Sequence, residues 1–354
     1  MTELKRQILS QIQATGPITL AEYMTLCLAH PTLGYYTTRD PLGAAGDFTT
    51  APEISQMFGE LIGLALAQSW LDQGAPTGIV LAELGPGRGT LMADILRATR
   101  KVPGFHAALR LHLVETSPVL RARQTATINH PITHHDTIAS LPEDAPLFLV
   151  ANEFFDALPI RQFQRAGNAW RERLVGAEGE CLTLGLSDPT RPEFLDHRLA
   201  DTADDDVVEV SQAAVTMAGE IGQRITKGGG LALVIDYGDW HSLGDTFQAL
   251  KAHKSHSPFE APGEADLTAH VDFEALARAA HPAKHSKLTP QGVFLDRLGI
   301  AARAEVLARN LDGDALDSHL AAYRRLTEAD EMGTLFKVMA LTNDDAPLPP
   351  GFAA

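Results

Sequence analysis

The sequence predicts an α/β protein, a Rossmann-like doubly wound parallel sheet with a helical cover at its amino end and an inserted antiparallel β meander. Three observations carry that prediction. Continuous apolar runs at 79–84, 147–151 and 231–235 have the length and composition of strands buried on both faces. Helically spaced apolar residues lie between them, such as Leu91, Ile95 and Leu96 after the first run, and this alternation builds parallel sheets. The first run enters Gly85-Pro86-Gly87-Arg88-Gly89-Thr90, where glycines allow a tight turn and close backbone approach to a ligand.

Taken in order, Leu4, Ile8, Leu9 and Ile12, then Leu20, Tyr23, Met24 and Cys27 after Gly16-Pro17, predict two short helices. The stretch from His30 to Ser55 is rich in turn formers yet dense in aromatics and hydroxyls, more than a linker needs. Helical spacing resumes from Ser55 to Trp70, so 1–75 reads as a helical cover and 76–160 as the first part of the core. A second strand, Leu111-His112-Leu113-Val114, ends at Glu115, and Ser117 with Pro118 opens the next helix. A third strand at 132–135 ends at Asp136, and the fourth runs into Asn152-Glu153-Phe154-Phe155-Asp156.

Residues 161–206 alternate polar and apolar around glycine turns and finish in the acidic run Asp201 to Asp206, which predicts a meander and a solvated loop. The core resumes over 207–354: a helix from Val207 to Thr226, a fifth strand ending in Asp236-Tyr237-Gly238, a helix opened by Val271-Asp272-Phe273, a last strand at 333–341 and a fraying tail. The polar stretch 244–270 is read as a loop, expected with 35–55 to close over the ligand.

Composition narrows the function. Of 354 residues 45% are hydrophobic and 21% charged, the balance of a globular chain, and no apolar run approaches the roughly 20 residues of a membrane span. With no signal-peptide core at the amino end, a cytoplasmic location is expected. The net charge of -16 argues against nucleic acid as a partner and tolerates a basic protein. Cys27 and Cys181 are too few and too far apart for a disulfide framework or a zinc site, and both are expected to be small buried hydrophobes. His253 and His256 lack an accompanying catalytic motif, so no metal is expected.

The glycine turn selects among nucleotide-like ligands by what it lacks. The dinucleotide fingerprint wants a glycine where Thr90 stands, and no Gly-Lys-Ser/Thr follows for a phosphate loop. Gly85-x-Gly87-x-Gly89 with Glu83 just before it is instead the arrangement typical of S-adenosylmethionine methyltransferases. That ligand has an ammonium, for which Glu83 is the candidate partner, and ribose hydroxyls, for which Glu115 is. Asp136 is a candidate for the adenine amino group or a loop cap, and Asn152 either faces the ligand or caps a helix begun by Glu153 and Asp156.

Six further motifs act together: His30-Pro31-x-x-Gly34-Tyr35-Tyr36, Gly46-Asp47-Phe48-x-Thr50-Ala51-Pro52-Glu53-Ile54-Ser55, Glu83 to Thr90, Asn152 to Pro159, Asp236-Tyr237-Gly238 and Asp266 to Phe273. With them nearly the whole chain resembles the MidA-like S-adenosylmethionine-dependent methyltransferases, whose mitochondrial members assist assembly of respiratory complex I. The resemblance implies the class I methyltransferase fold, S-adenosylmethionine as cofactor with S-adenosylhomocysteine as product, and arginine methylation of a protein such as a core complex I subunit. A homodimer stays open as the assembly. Cofactor residues would be Glu83, Gly85, Pro86, Gly87, Gly89, Thr90, Glu115, Asp136 and Asn152. A guanidinium acceptor needs carboxylates to orient it, and Glu153, Asp156 and Asp47 with Asn152 are the expected catalytic set, Glu53 being a further acid nearby. Two other functions remain open: N-methylation of another protein or a small molecule, and a non-catalytic assembly factor that binds the cofactor.

Overall fold

Six-residue apolar runs bounded by turns become the central strands of a parallel sheet, because only burial on both faces hides them. The computed structural model describes residues 1–38, 49–251 and 254–353. The described chain divides into two compact units, one of Thr49–Phe155, Val215–Trp240 and Phe273–Ala354, the other of Met1–Phe48, Asp156–Ala214 and His241–Asp272.

The first unit is built on β1 (Ile79–Leu84), β2 (Leu109–Val114), β3 (Ile132–His135), β4 (Leu147–Asn152), β5 (Gly230–Asp239), β6 (Lys284–His285) and β7 (Phe336–Thr342). They lie in the order β3-β2-β1-β4-β5-β7-β6. Pairing is parallel from β3 to β5, and β7 runs antiparallel to both β5 and β6. Strand order therefore reverses between β1 and β4, and ligands of open α/β sheets bind at the carboxyl ends beside such a reversal. Helices α1 (Gln56–Asp72), α2 (Thr90–Thr99) and α3 (Pro118–Thr127) pack on this frame. Phe58, Ile62, Leu66, Leu91, Ile95, Leu81, Phe148 and Val150 share its core.

The second unit joins the helices Glu3–Thr15 and Leu20–Ala29 to antiparallel strands. A capping box of Thr19 and Glu22 starts the second helix, and Leu20, Tyr23 and Met24 pack with Val175, Leu182, Ala249 and Leu267. The meander consists of Arg161–Ala166, Ala169–Glu178 and Cys181–Leu186.

Four expectations are corrected. Val207–Val210 is a strand paired with residues 161–164, and the helix starts only at Gln212; the β-branched Val207 and Val208 are buried and outweigh helical spacing. The stretch 244–270 is not a plain loop, because Gln248–Lys251 pairs with Lys254–His256 and with Asp266–Thr268. The tail does not fray as far as Phe352, which meets Phe294 at 5.1 Å between ring centroids. Cys27 is buried but Cys181 is exposed, at the start of an outer strand.

Candidate functional site

The turn after β1 is left-handed at each glycine, with φ of +59° at Gly85, +52° at Gly87 and +83° at Gly89, a region that L side chains rarely adopt. Gly85 is exposed and Pro86 buried, and a Cβ on Gly85 would lie 2.7 Å from Phe154 Cδ2. Gly89 precedes α2 as its N-cap. Glu83, one residue before the end of β1, is 3% exposed, and its Oε2 has no hydrogen-bond partner among the described residues. Burial pushes its carboxyl up to about 8. A buried acid left in this state fits a ligand that brings a cation.

The acid beyond β2 is treated differently. Glu115 Oε1 accepts from Ser117 N at 2.8 Å, and its Oε2 from Gln124 Nε2 at 3.4 Å. Burial raises its carboxyl and these donors oppose the rise. Gln124, fully buried on α3, also donates to the Gly87 carbonyl at 2.8 Å, and its Oε1 lies 2.9 Å from His134 Nε2. Neither Gln124 nor His134 was singled out by the sequence: a glutamine at an apolar helical position, four residues after Leu120, is the signal that was available.

At the end of β4, Asn152 is buried, its Nδ2 donating to Glu153 Oε1 at 3.1 Å. No helix follows it, so the capping alternative falls away. Glu153 has φ +51°, a conformation that costs a non-glycine residue of order 1–3 kcal/mol and persists only where its surroundings impose it. They do so here: Glu153 N donates to Ile235 O at 2.9 Å, and Phe154 N and Phe155 N both donate to Asp236 Oδ2, at 3.1 and 3.0 Å. Asp236 belonged to a sequence motif, but its anchoring role was not foreseen. Glu153 Oε1 also accepts from Ala51 N at 2.8 Å. Two residues on, Glu53 accepts from Thr90 Oγ1 at 2.5 Å and stands 3.8 Å from Arg88.

The structure thus gathers Gly87 with Glu115, and Thr90 with Glu53, around the strand ends, and joins Asn152 to Glu153. Asp136 lies apart on the surface, its side chain 79% exposed and paired with Arg121 at 2.6 Å. Asp156 belongs to the other unit, where its charge and that of Asp266 add to burial in raising the Tyr36 phenol. Asp47 and His253 fall outside the described residues. Among the described residues no group of three or more His, Cys, Asp or Glu could hold a metal, and no helix is long and apolar enough to cross a membrane.

A glycine turn free of phosphate-loop residues, at the switch point of this strand order and preceded by a bare buried acid, defines the S-adenosylmethionine-dependent methyltransferase class. A family model of S-adenosyl-L-methionine-dependent methyltransferases matches residues 61–292, and the chain belongs to that family. The mitochondrial protein arginine methyltransferase NDUFAF7 of Danio rerio is 39% identical, over 96% of this chain and 86% of that protein. The human NDUFAF7 is 37% identical over 96% and 83%. A crystal structure of a Burkholderia thailandensis protein bound to S-adenosyl-homocysteine superposes with a TM-score of 0.83 at 27% identity, covering 99% of this chain and 92% of that one. The expected cytoplasmic location is overturned by these names, which are of mitochondrial proteins; it had rested on the absence of a targeting signal, and an absence carries no address.

Proposed function

We propose that the chain transfers a methyl group from S-adenosylmethionine to an arginine side chain of a protein. One observation carries the arginine: the relatives that match 96% of the chain at 37–39% identity are named protein arginine methyltransferases. The cofactor supplies a methyl on a positively charged sulfur, which departs as a neutral thioether. Glu83 pairs with the cofactor's ammonium and Glu115 accepts from its ribose hydroxyls, while the bare backbone of Gly85, Gly87 and Gly89 lets it approach. On the acceptor side, the new N–C bond forms as the S–C bond breaks, and the guanidinium nitrogen gives up a proton. Glu153, held in one orientation by Asn152 and Ala51, supplies the negative charge that aligns the guanidinium and draws its positive charge from the attacking nitrogen. Asp156 is proposed to contribute a second carboxylate.

Incubating the protein with isotope-labelled S-adenosylmethionine and an extract of cells lacking it, complex I subunits being the first acceptors to examine, should label methylarginine, read by mass spectrometry. Label confined to lysine, a terminal amine or a small molecule would overturn the arginine. Glu153→Gln should keep near-normal cofactor affinity while lowering single-turnover transfer by about 100-fold. An unchanged rate would remove Glu153 from the chemistry.

A further inference from the structure

We infer that Gln124 is a positioning residue for the cofactor, tying the glycine turn to the ribose-binding acid, and that His134 holds its amide in the working orientation. This rests on the reading that the turn and Glu115 bind S-adenosylmethionine.

The orientation of the amide follows from its neighbours. The Gly87 carbonyl and the Glu115 carboxylate only accept hydrogen bonds, so the Gln124 group facing both is its NH2, with distances of 2.8 and 3.4 Å. Its oxygen then faces His134 Nε2 at 2.9 Å, so His134 carries a proton on that nitrogen. A flipped amide would set its oxygen against two acceptors at once. One fully buried side chain therefore spans three elements: the turn after β1, the acid after β2 and strand β3.

Each end needs this help. Gly87, with φ +52° and no side chain, has nothing of its own to anchor its carbonyl, and a glycine turn left loose must be ordered whenever a ligand binds. Glu115 keeps Oε1 on Ser117 N, and the amide steers Oε2. Space filling does not call for a glutamine here, since a buried amide is costly unless its hydrogen bonds are made and leucine would fill a similar volume. Gly89 packs against the same residue: a Cβ there would lie 3.4 Å from Gln124 Cα.

The test is calorimetry with S-adenosylhomocysteine on the full chain, with a melting curve for every variant. Gln124→Leu should weaken binding by about tenfold, the loss of two modest hydrogen bonds. His134→Phe should weaken it by about threefold. Because His134 acts through Gln124, the double variant should bind no more weakly than Gln124→Leu alone. Gln124→Glu keeps the shape but turns a charged acceptor toward Gly87 O and Glu115, so it should bind more weakly than Gln124→Leu. A lowered melting temperature with unchanged affinity in both single variants, or additive losses in the double, overturns the inference. If Gln124→Leu fails to fold, His134→Phe alone decides, and unchanged affinity in it counts against the coupling. Glu115→Ala separates the two levels of argument. Were it to bind normally, the ribose assignment itself would fall; were it to bind weakly while Gln124→Leu does not, only the positioning role would.

Discussion

Glu83 and Glu115 stand at the ends of neighbouring parallel strands, yet one lacks a partner on a buried oxygen and the other receives donors on both. The contrast follows what each would meet. An ammonium brings its own charge, so Glu83 is best left bare, its carboxyl raised to about 8 by burial until a cation arrives. A ribose hydroxyl is neutral and has a choice of acceptors, so Glu115 must be aimed in advance, and Ser117 and Gln124 aim it. The chain accepts instability at one strand end and spends hydrogen bonds on order at the other.

The largest effect that can break this comparison lies between the two acids. Gly85→Ala adds a Cβ at φ +59° and 2.7 Å from the Phe154 ring, so the turn must open or the ring must shift. Strain of about 2–4 kcal/mol from both causes should lower S-adenosylhomocysteine affinity by at least about 100-fold. Calorimetry showing near-normal binding would mean that the turn does not approach the ligand.

Next comes Glu83→Gln, for which affinity should fall by about 10- to 100-fold, the range for a hydrogen bond to a charged group. The pH dependence has a fixed sign. The folded carboxyl loses its proton near 8 and the unfolded one near 4.5, so between these values the ligand-free fold holds a proton that the unfolded chain has lost. Stability from this group is intact below about 4.5 and declines as pH rises toward 8. Glu83→Gln should therefore melt above the parent without ligand, with the gap widest at pH 8. Binding at pH 7 should also release a proton from the parent but not from the variant, measured by calorimetry in buffers of different ionisation enthalpy. Equal proton release in both would place the ammonium elsewhere.

How much of this was legible depended on the range of the forces involved. β1 and β4 were visible because burial on both faces writes a continuous apolar run, and the glycines because their backbone angles exclude other residues. Glu83 and Glu115 were visible because strand ends follow from strands. Val207–Val210 was misread, since its pairing with residues 161–164 is a long-range contact that local spacing does not record. Gln124 and Asp236 were missed for the same reason: both are anchors whose partners lie in other elements, at Gly87, His134, Phe154 and Phe155. The left-handed Glu153 gave no sign at all, because its conformation is imposed by those anchors and not by its own residue type.

The smallest expected effect concerns Asp136, the third strand-end acid, which extends the comparison outward along the sheet. Position alone suggested a partner for the adenine amino group, whereas the structure gives its carboxylate Arg121 at 2.6 Å with 79% of the side chain exposed. Exposed ion pairs contribute about 0–1 kcal/mol and weaken as salt rises. Arg121 keeps a second contact, from its Nε to the Glu115 carbonyl at 2.6 Å, so it is not released when the acid is lost. Asp136→Asn should then change stability by less than about 1 kcal/mol and affinity by no more than about twofold. The discriminating probe is the inosine analogue of S-adenosylhomocysteine, which carries a carbonyl where adenine has its amino group. If Asp136 accepted from that amino group, the parent would prefer the adenine compound by about tenfold or more and Asp136→Asn would erase the preference. A preference that survives the substitution, with a melting difference that fades in high salt, leaves Asp136 as a surface partner of Arg121.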